Sequence, residues 1–128
     1  MVIPLSTYDL DSSIMITKKV LQEITIPEGI KLEYSEFYAY DPTTEFTVEM
    51  NNLYLKEDLF QASFEEERLI VDMGWYGDLK TNSGEFKILV VYAADWDFPV
   101  TTLFAKSLSQ VTDMLHKLLE HMASDNFV

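Results

Sequence analysis

The sequence predicts an α+β protein. Its expected core is a mainly antiparallel, meandering sheet with a C-terminal amphipathic helix (107–123) packed on one face, joined by an N-terminal helix. Three observations predict this. Between Ile30 and Ala105 apolar residues recur largely at period two, in short runs bounded by polar clusters. After Ser107 the spacing changes to three and four. The chain is 48% apolar and 13% aromatic, enough to fill a sizeable core in a single domain spanning 1–128.

Taking the elements in order, Ile16, Val20, Leu21 and Ile24 follow Ser12 and Ser13 at helical spacing and predict a helix over 13–24. The β-branched content of Ile14 to Thr17 and of Ile24 to Ile26 pulls the other way, toward strand. Pro27-Glu28-Gly29 ends that segment. Ile30, Leu32 and Tyr34 then alternate with Lys31, Glu33 and Ser35 as a strand. Asp41-Pro42-Thr43-Thr44 reads as a turn, because Asp bonds back to the backbone and Pro fixes φ. Phe46, Val48 and Met50 alternate with Glu45, Thr47 and Glu49, which predicts a half-buried strand with acids on its wet side, interrupted at Asn51-Asn52. Phe60, Ala62 and Phe64 predict a short strand, and Glu65-Glu66-Glu67 the turn after it.

The strongest hairpin signal follows. Leu69, Val71, Met73 and Trp75 share one face, and Ile70, Asp72 and Tyr76 the other. A polar connection runs from Gly77 to Gly84, and Phe86, Ile88, Val90 and Tyr92 return as a buried face. Leu89 and Val91 on the opposite side predict a strand covered on both faces. Asp95 to Pro99 reads as a loop and Val100 to Ala105 as the last strand. In the final helix Ser107 and Gln110 form a capping box, and Leu108, Val111, Leu115, Leu118 and Met122 form the apolar stripe.

Composition removes whole classes of function. With no cysteine, disulfide scaffolds, thiol nucleophiles and thiolate metal sites are excluded. The first nine residues lack the basic and long apolar stretches of a signal peptide, and the run from Ile88 to Ala94 is far too short to span a bilayer, so a cytoplasmic protein is expected. Twenty-two acids against nine bases give a net charge of −13. A field of that sign repels nucleic acid and anionic lipid and attracts basic surfaces, and one arginine with eight scattered lysines makes no basic stripe.

Tests for chemistry return little. His116 and His121 stand five residues apart, about 140° around a helix, so they cannot chelate one ion from one face; they read as solvent-facing. Asp95 and Asp97 flank Trp96, a combination compatible with a sugar site, but turn chemistry explains these aspartates equally well. Neither Asp95-x-Asp97 nor Asp9-x-Asp11 continues into a calcium loop. Gly74-Trp75-Tyr76-Gly77 lacks the Lys of a phosphate cradle, and no G-x-S-x-G elbow exists. The expectation is therefore a protein without catalytic residues, metal or cofactor.

The acids are uneven. Glu33, Glu36, Asp41, Glu45 and Glu49 occur between Leu32 and Leu55 with no intervening base, and Glu65, Glu66 and Glu67 follow. Like charges placed opposite one another on a sheet cost about 0.2–1 kcal/mol each, and a cationic partner would relieve them. Tyr34, Phe37, Tyr38 and Tyr40 lie in the same region, and Tyr beside carboxylate receives Arg and Lys well. The candidate contacts are thus Glu33, Glu36, Tyr38, Tyr40, Asp41, Glu45 and Glu49, with Glu65, Glu66 and Glu67 as a second patch.

The run Val71-Asp72-Met73-Gly74-Trp75-Tyr76-Gly77-Asp78, then Glu85 to Val91, then Asp95-Trp96-Asp97-Phe98-Pro99 before a strand and a helix resembles bacterial immunity proteins of contact-dependent growth inhibition and polymorphic toxin systems. The resemblance covers Leu69 to Leu119. It implies a cytoplasmic toxin inhibitor that acts by protein–protein interaction, neutralising one cognate toxin domain, often a basic nuclease, without catalysis. It carries over no contact residue, and it implies that the Gly-Trp-Tyr and Asp-Trp-Asp positions serve the fold. The alternatives are an acidic DNA-mimic inhibitor of a DNA-binding protein, a small carbohydrate- or nucleotide-active enzyme built around Asp95, Trp96 and Asp97, and a structural subunit of a larger assembly.

Overall fold

The computed structural model describes residues 20–124 of the chain. Five strands form one antiparallel sheet whose spatial order is the chain order: β1 (Ile30–Ser35), β2 (Phe60–Phe64), β3 (Leu69–Asp78), β4 (Ser83–Tyr92) and β5 (Thr101–Ala105). Two short helices, α1 (Pro42–Glu45) and α2 (Val48–Tyr54), lie between β1 and β2, and the long helix α3 (Leu108–Ala123) closes the chain. The α+β class and the meandering sheet with its C-terminal helix are those the sequence predicts.

The β3–β4 hairpin anchors the sheet. Its ten pairs run from Leu69 opposite Tyr92 to Asp78 opposite Ser83, leaving 79–82 as the connection. Asn82 takes the left-handed conformation there (φ 60°), which Asn tolerates better than most residues. Val71, Met73, Trp75, Phe86, Ile88 and Val90 share the inner face, none more than 3% exposed. Tyr92, expected with them, is exposed at the strand end beneath the Arg68 guanidinium.

Helix α3 covers that inner face. Ser107 accepts the Gln110 amide while Gln110 reaches back to the Ser107 N–H, completing the capping box. Its fully buried residues are Val111, Leu115, Leu119 and Met122. Leu119 thus takes the place assigned to Leu118, which packs at the margin with Leu108. Each such side chain contributes about 1.5–3 kcal/mol by leaving water.

Three expectations fail between Val20 and Tyr54, the first being the turn at Asp41 to Thr44, which is instead the capped start of helix α1. The segment from Glu45 to Met50 is not a strand, because two caps override its alternation. Asp41 accepts the Thr43 N–H at 3.0 Å, Pro42 occupies the first helical turn, and the Glu45 carboxylate accepts the Asp41 N–H at 2.8 Å. Thr47 then caps α2 by accepting the Met50 N–H at 3.0 Å. On α2 it is Asn51 and Tyr54, three apart, that are buried. Helix also fails at residues 20–24, the described part of the expected 13–24 helix; 13–19 lie outside the described residues. Here the chain is extended: Ala39 donates to the Val20 carbonyl (2.7 Å), Gln22 donates to that of Phe37 (2.8 Å), and Leu21 bridges to Tyr38. The β-branched residues win over helical spacing.

Asn51, fully buried, ties these parts together. Its side-chain oxygen accepts the Tyr40 hydroxyl at 2.6 Å, and its amide donates at 2.9 Å to the Leu79 carbonyl and to Asn82. Asn82 in turn donates to the Pro42 carbonyl at 2.9 Å. Buried polar atoms are costly unless bonded, and this network bonds them while pinning α1 and α2 to the hairpin turn. Among the described residues no helix is long and apolar enough to cross a membrane.

Candidate functional site

The face of the sheet opposite α3 is mixed: Ser63, Ile70 and Val91, in register across β2, β3 and β4, are buried there, in line with the expected double covering at Val91, and polar residues surround them. Here Gln61 of β2 lies directly across from Asp72 of β3 and donates to its carboxylate at 3.2 Å. A bulge in β1 brings in a third group. The register slips between Leu32 and Tyr34, so Tyr34 rather than Glu33 pairs with Gln61. Leu32 and Tyr34 are both exposed.

A fourth group arrives with the chain between α2 and β2. The missing side chain of Gly74 lets the backbone of Glu57 lie against β3, where a Cβ would sit 2.0 Å from the Glu57 carbonyl oxygen. Trp75 donates to the Lys56 carbonyl at 2.8 Å and fixes this approach. Tyr34 donates its hydroxyl to the Asp58 carbonyl (3.1 Å), and Tyr76 donates to that of Glu57 (3.3 Å). Together Tyr34, Asp58, Phe60, Gln61 and Asp72 line a cleft of about 400 Å³.

Its electrostatics are one-sided. Burial pushes the Asp72 carboxyl above the usual range and the Asp58 charge adds to this, while the Gln61 bond and Lys87 oppose it. Burial likewise raises the Tyr34 phenol, helped by Glu36 and Asp58, and the Tyr76 phenol, helped by Asp72, Glu57 and Asp58. Both phenols therefore stay neutral donors beside carboxylates. Among the described residues no Lys or Arg comes within ion-pair distance of Asp58 or Asp72. Lys87 instead lies over the Tyr76 ring, 4.5 Å from its centroid.

A second cleft, about 370 Å³, lies beside the first and is lined by Gly29, Lys31, Glu33, Ser63, Glu65, Glu66 and Glu67. Glu33 accepts the Ser63 hydroxyl and lies 3.6 Å from the Lys31 ammonium. Glu65, Glu66 and Glu67 all take left-handed backbone angles, with φ of 54°, 55° and 72°, and Glu65 pairs with Arg68. Ser63 and Gln61 are two residues apart on β2, so the clefts are separated by about 7 Å along the strand.

The structure thus gathers Glu33 with Glu65, Glu66 and Glu67, and puts Glu36 near the Tyr34 phenol. It separates the other sequence candidates. Tyr40 is buried, stacked on Tyr54 at 5.0 Å and bonded to Asn51, so it faces the core and not a partner. Tyr38 is half-buried against the same Tyr54 ring. Asp41 and Glu45 cap α1, and Glu49 is exposed in the first turn of α2. Glu45 and Glu49 consequently share no strand face.

Asp95, Trp96 and Asp97 are exposed in the β4–β5 loop, away from both clefts. His116 is not solvent-facing as expected: it is half-buried, and its Nε2 accepts the Thr25 N–H at 3.0 Å. No three or more His, Asp or Glu among the described residues are placed to hold a metal ion. Sequence reasoning missed Asp58, Gln61 and Asp72 as site residues. For Asp72 a signal existed: an acid in phase with Ile70 and Tyr76, in the middle of a largely apolar strand. Comparisons with family models, with curated proteins and with solved structures each find no match.

Proposed function

We propose that this chain is a non-catalytic immunity protein that binds a cognate basic, nuclease-type toxin domain in the cytoplasm and neutralises it. The observation that carries this reading is the cleft of Tyr34, Asp58, Gln61 and Asp72, whose carboxylates lack an ion-pair partner among the described residues. An inserted Arg or Lys side chain finds there two carboxylates, an amide oxygen and an aromatic wall. The neighbouring cleft of Glu33, Glu65, Glu66 and Glu67 extends the negative field along the same face, and the net charge of −13 steers a basic surface toward it. The acidic, Tyr-bearing surface foreseen between Leu32 and Leu55 is thereby relocated to the open face of β1, β2 and β3.

A pull-down from the source lysate at low salt, eluted with rising NaCl, tests the reading. The expected result is one stoichiometric basic toxin domain whose affinity falls about 10- to 100-fold with Asp58→Asn plus Asp72→Asn, and hardly at all with Glu45→Gln plus Glu49→Gln. Recovery of a DNA-binding protein in its place favours DNA mimicry. A partner whose affinity ignores both pairs removes the cleft from the reading.

A further inference from the structure

Residues 20–26 form a strap across the molecule with two unlike fastenings. At one end backbone hydrogen bonds join it to Phe37 and Ala39. Toward the other, Ile24 and Ile26 pack on the core, and the residue between them, Thr25, donates its N–H to the His116 Nε2 at 3.0 Å. Only an unprotonated ring nitrogen can accept that bond. Protonation turns Nε2 into a donor facing another donor, so the fastening is lost and becomes repulsive.

The surroundings offer the protonated ring other partners. His116, Asp41, Asp113, Gln22, Ser109 and Thr112 line a common cleft of about 440 Å³. The charged groups on the surrounding elements are Asp41 before α1, Glu23 on the strap, and Asp113, Lys117 and Glu120 on α3. Lys117 is engaged by Asp113 at 3.1 Å, leaving an acidic balance around the imidazole.

We propose that His116 is a protonation-controlled latch: neutral, it holds the strap at Thr25; charged, it releases Thr25 and turns toward Asp41 and Asp113. The latch depends on geometry separate from the two acidic clefts and stands or falls independently of the toxin-binding reading. Release frees the strap about Ile24 and Ile26 while the backbone bonds at Val20 and Gln22 keep its other end in place.

Amide hydrogen exchange by NMR on the full chain, at about pH 7.5 and about pH 5.5, spans the interval over which imidazole side chains change charge. The protection factor of Thr25, corrected for intrinsic exchange, is expected to fall about tenfold or more at the lower pH, while that of Gln22 holds. His116→Gln, whose carbonyl can accept but does not titrate, is expected to flatten the change. Equal Thr25 protection at both pH values in the wild type overturns the proposal, and so does a fall that persists in His116→Gln. Should that variant not fold, the ring nitrogen shifts of wild-type His116 serve instead: their transition must coincide with the loss at Thr25, and a transition elsewhere overturns the latch.

Discussion

The two faces of this sheet are built from the same strands and do opposite work. On the face beneath α3, Ala62, Val71, Met73, Ile88 and Val90 are at most 1% exposed and make the core. One residue along each strand, the other face presents Gln61, Asp72, Tyr76 and Lys87, and carries both acidic clefts. Period two makes this separation possible, since neighbouring residues point to opposite faces everywhere except at the β1 bulge, where Glu33 and Tyr34 share one. A surface can then gather like charges at modest cost, because the energy that holds the fold is stored on the reverse side.

Changes on the two faces should therefore separate in their effects. The largest belongs to the covered face: Leu115→Ala is expected to cost about 2–5 kcal/mol in urea denaturation, from lost burial plus the cavity it leaves. Gly74→Ala comes next, at about 1–3 kcal/mol, because its methyl collides with the Glu57 backbone and pushes the Asp58 side of the cleft away. It is the one substitution here expected to harm both stability and partner binding. Glu66→Gly should stabilise by about 1 kcal/mol, through relief of a left-handed backbone, while weakening the second cleft.

The smallest effect is at Asp72, and its sign is the sharpest test of the comparison. Burial holds the folded carboxyl above its ordinary value of 3.8. Its stabilising contribution is therefore full below 3.8 and is lost as pH rises through the raised folded value. Asp72→Asn is expected to be more stable than wild type at neutral pH and to converge with it below 3.8, measured by denaturant midpoints at both pH values. Gained stability with lost partner binding would mark Asp72 as kept for recognition. A neutral-pH loss would show instead that the Gln61 bond outweighs burial.

The sequence made the two faces of β3 and β4 legible, because long alternation, turn residues and a capped helix all pointed the same way there. The stretch before β2 was misread, because its side-chain alternation conflicted with local capping. Phe46, Val48 and Met50 alternate as a strand would, yet Asp41 with Pro42, and Thr47 with the Met50 amide, start helices. Those cap signals were present and outweighed the period. The site was harder. Gln61 and Asp72 meet through the register of β2 on β3, while Asp58 joins them through the space beside Gly74 and Tyr34 through a bulge in β1, and neither the space nor the bulge has a side-chain signature. Counting carboxylates located the dense acidic stretches but could not tell capping acids, such as Asp41 and Glu45, from those left facing solvent.

That the sheet's spatial order is its chain order has a kinetic consequence. Every strand pairs with the strand made just before it, and the β2–β3, β3–β4 and β4–β5 connections are short loops. Ring closure at each of those steps fixes few residues, so the entropic barrier to sheet growth stays low and β2 to β5 can zip outward from the 79–82 turn. The pairing of β1 with β2 must instead close over α1 and α2. The strand that brings Tyr34 and Glu33 to the open face thus carries the longest loop in the sheet, and the acidic surface is completed by the most entropically expensive pairing in the meander.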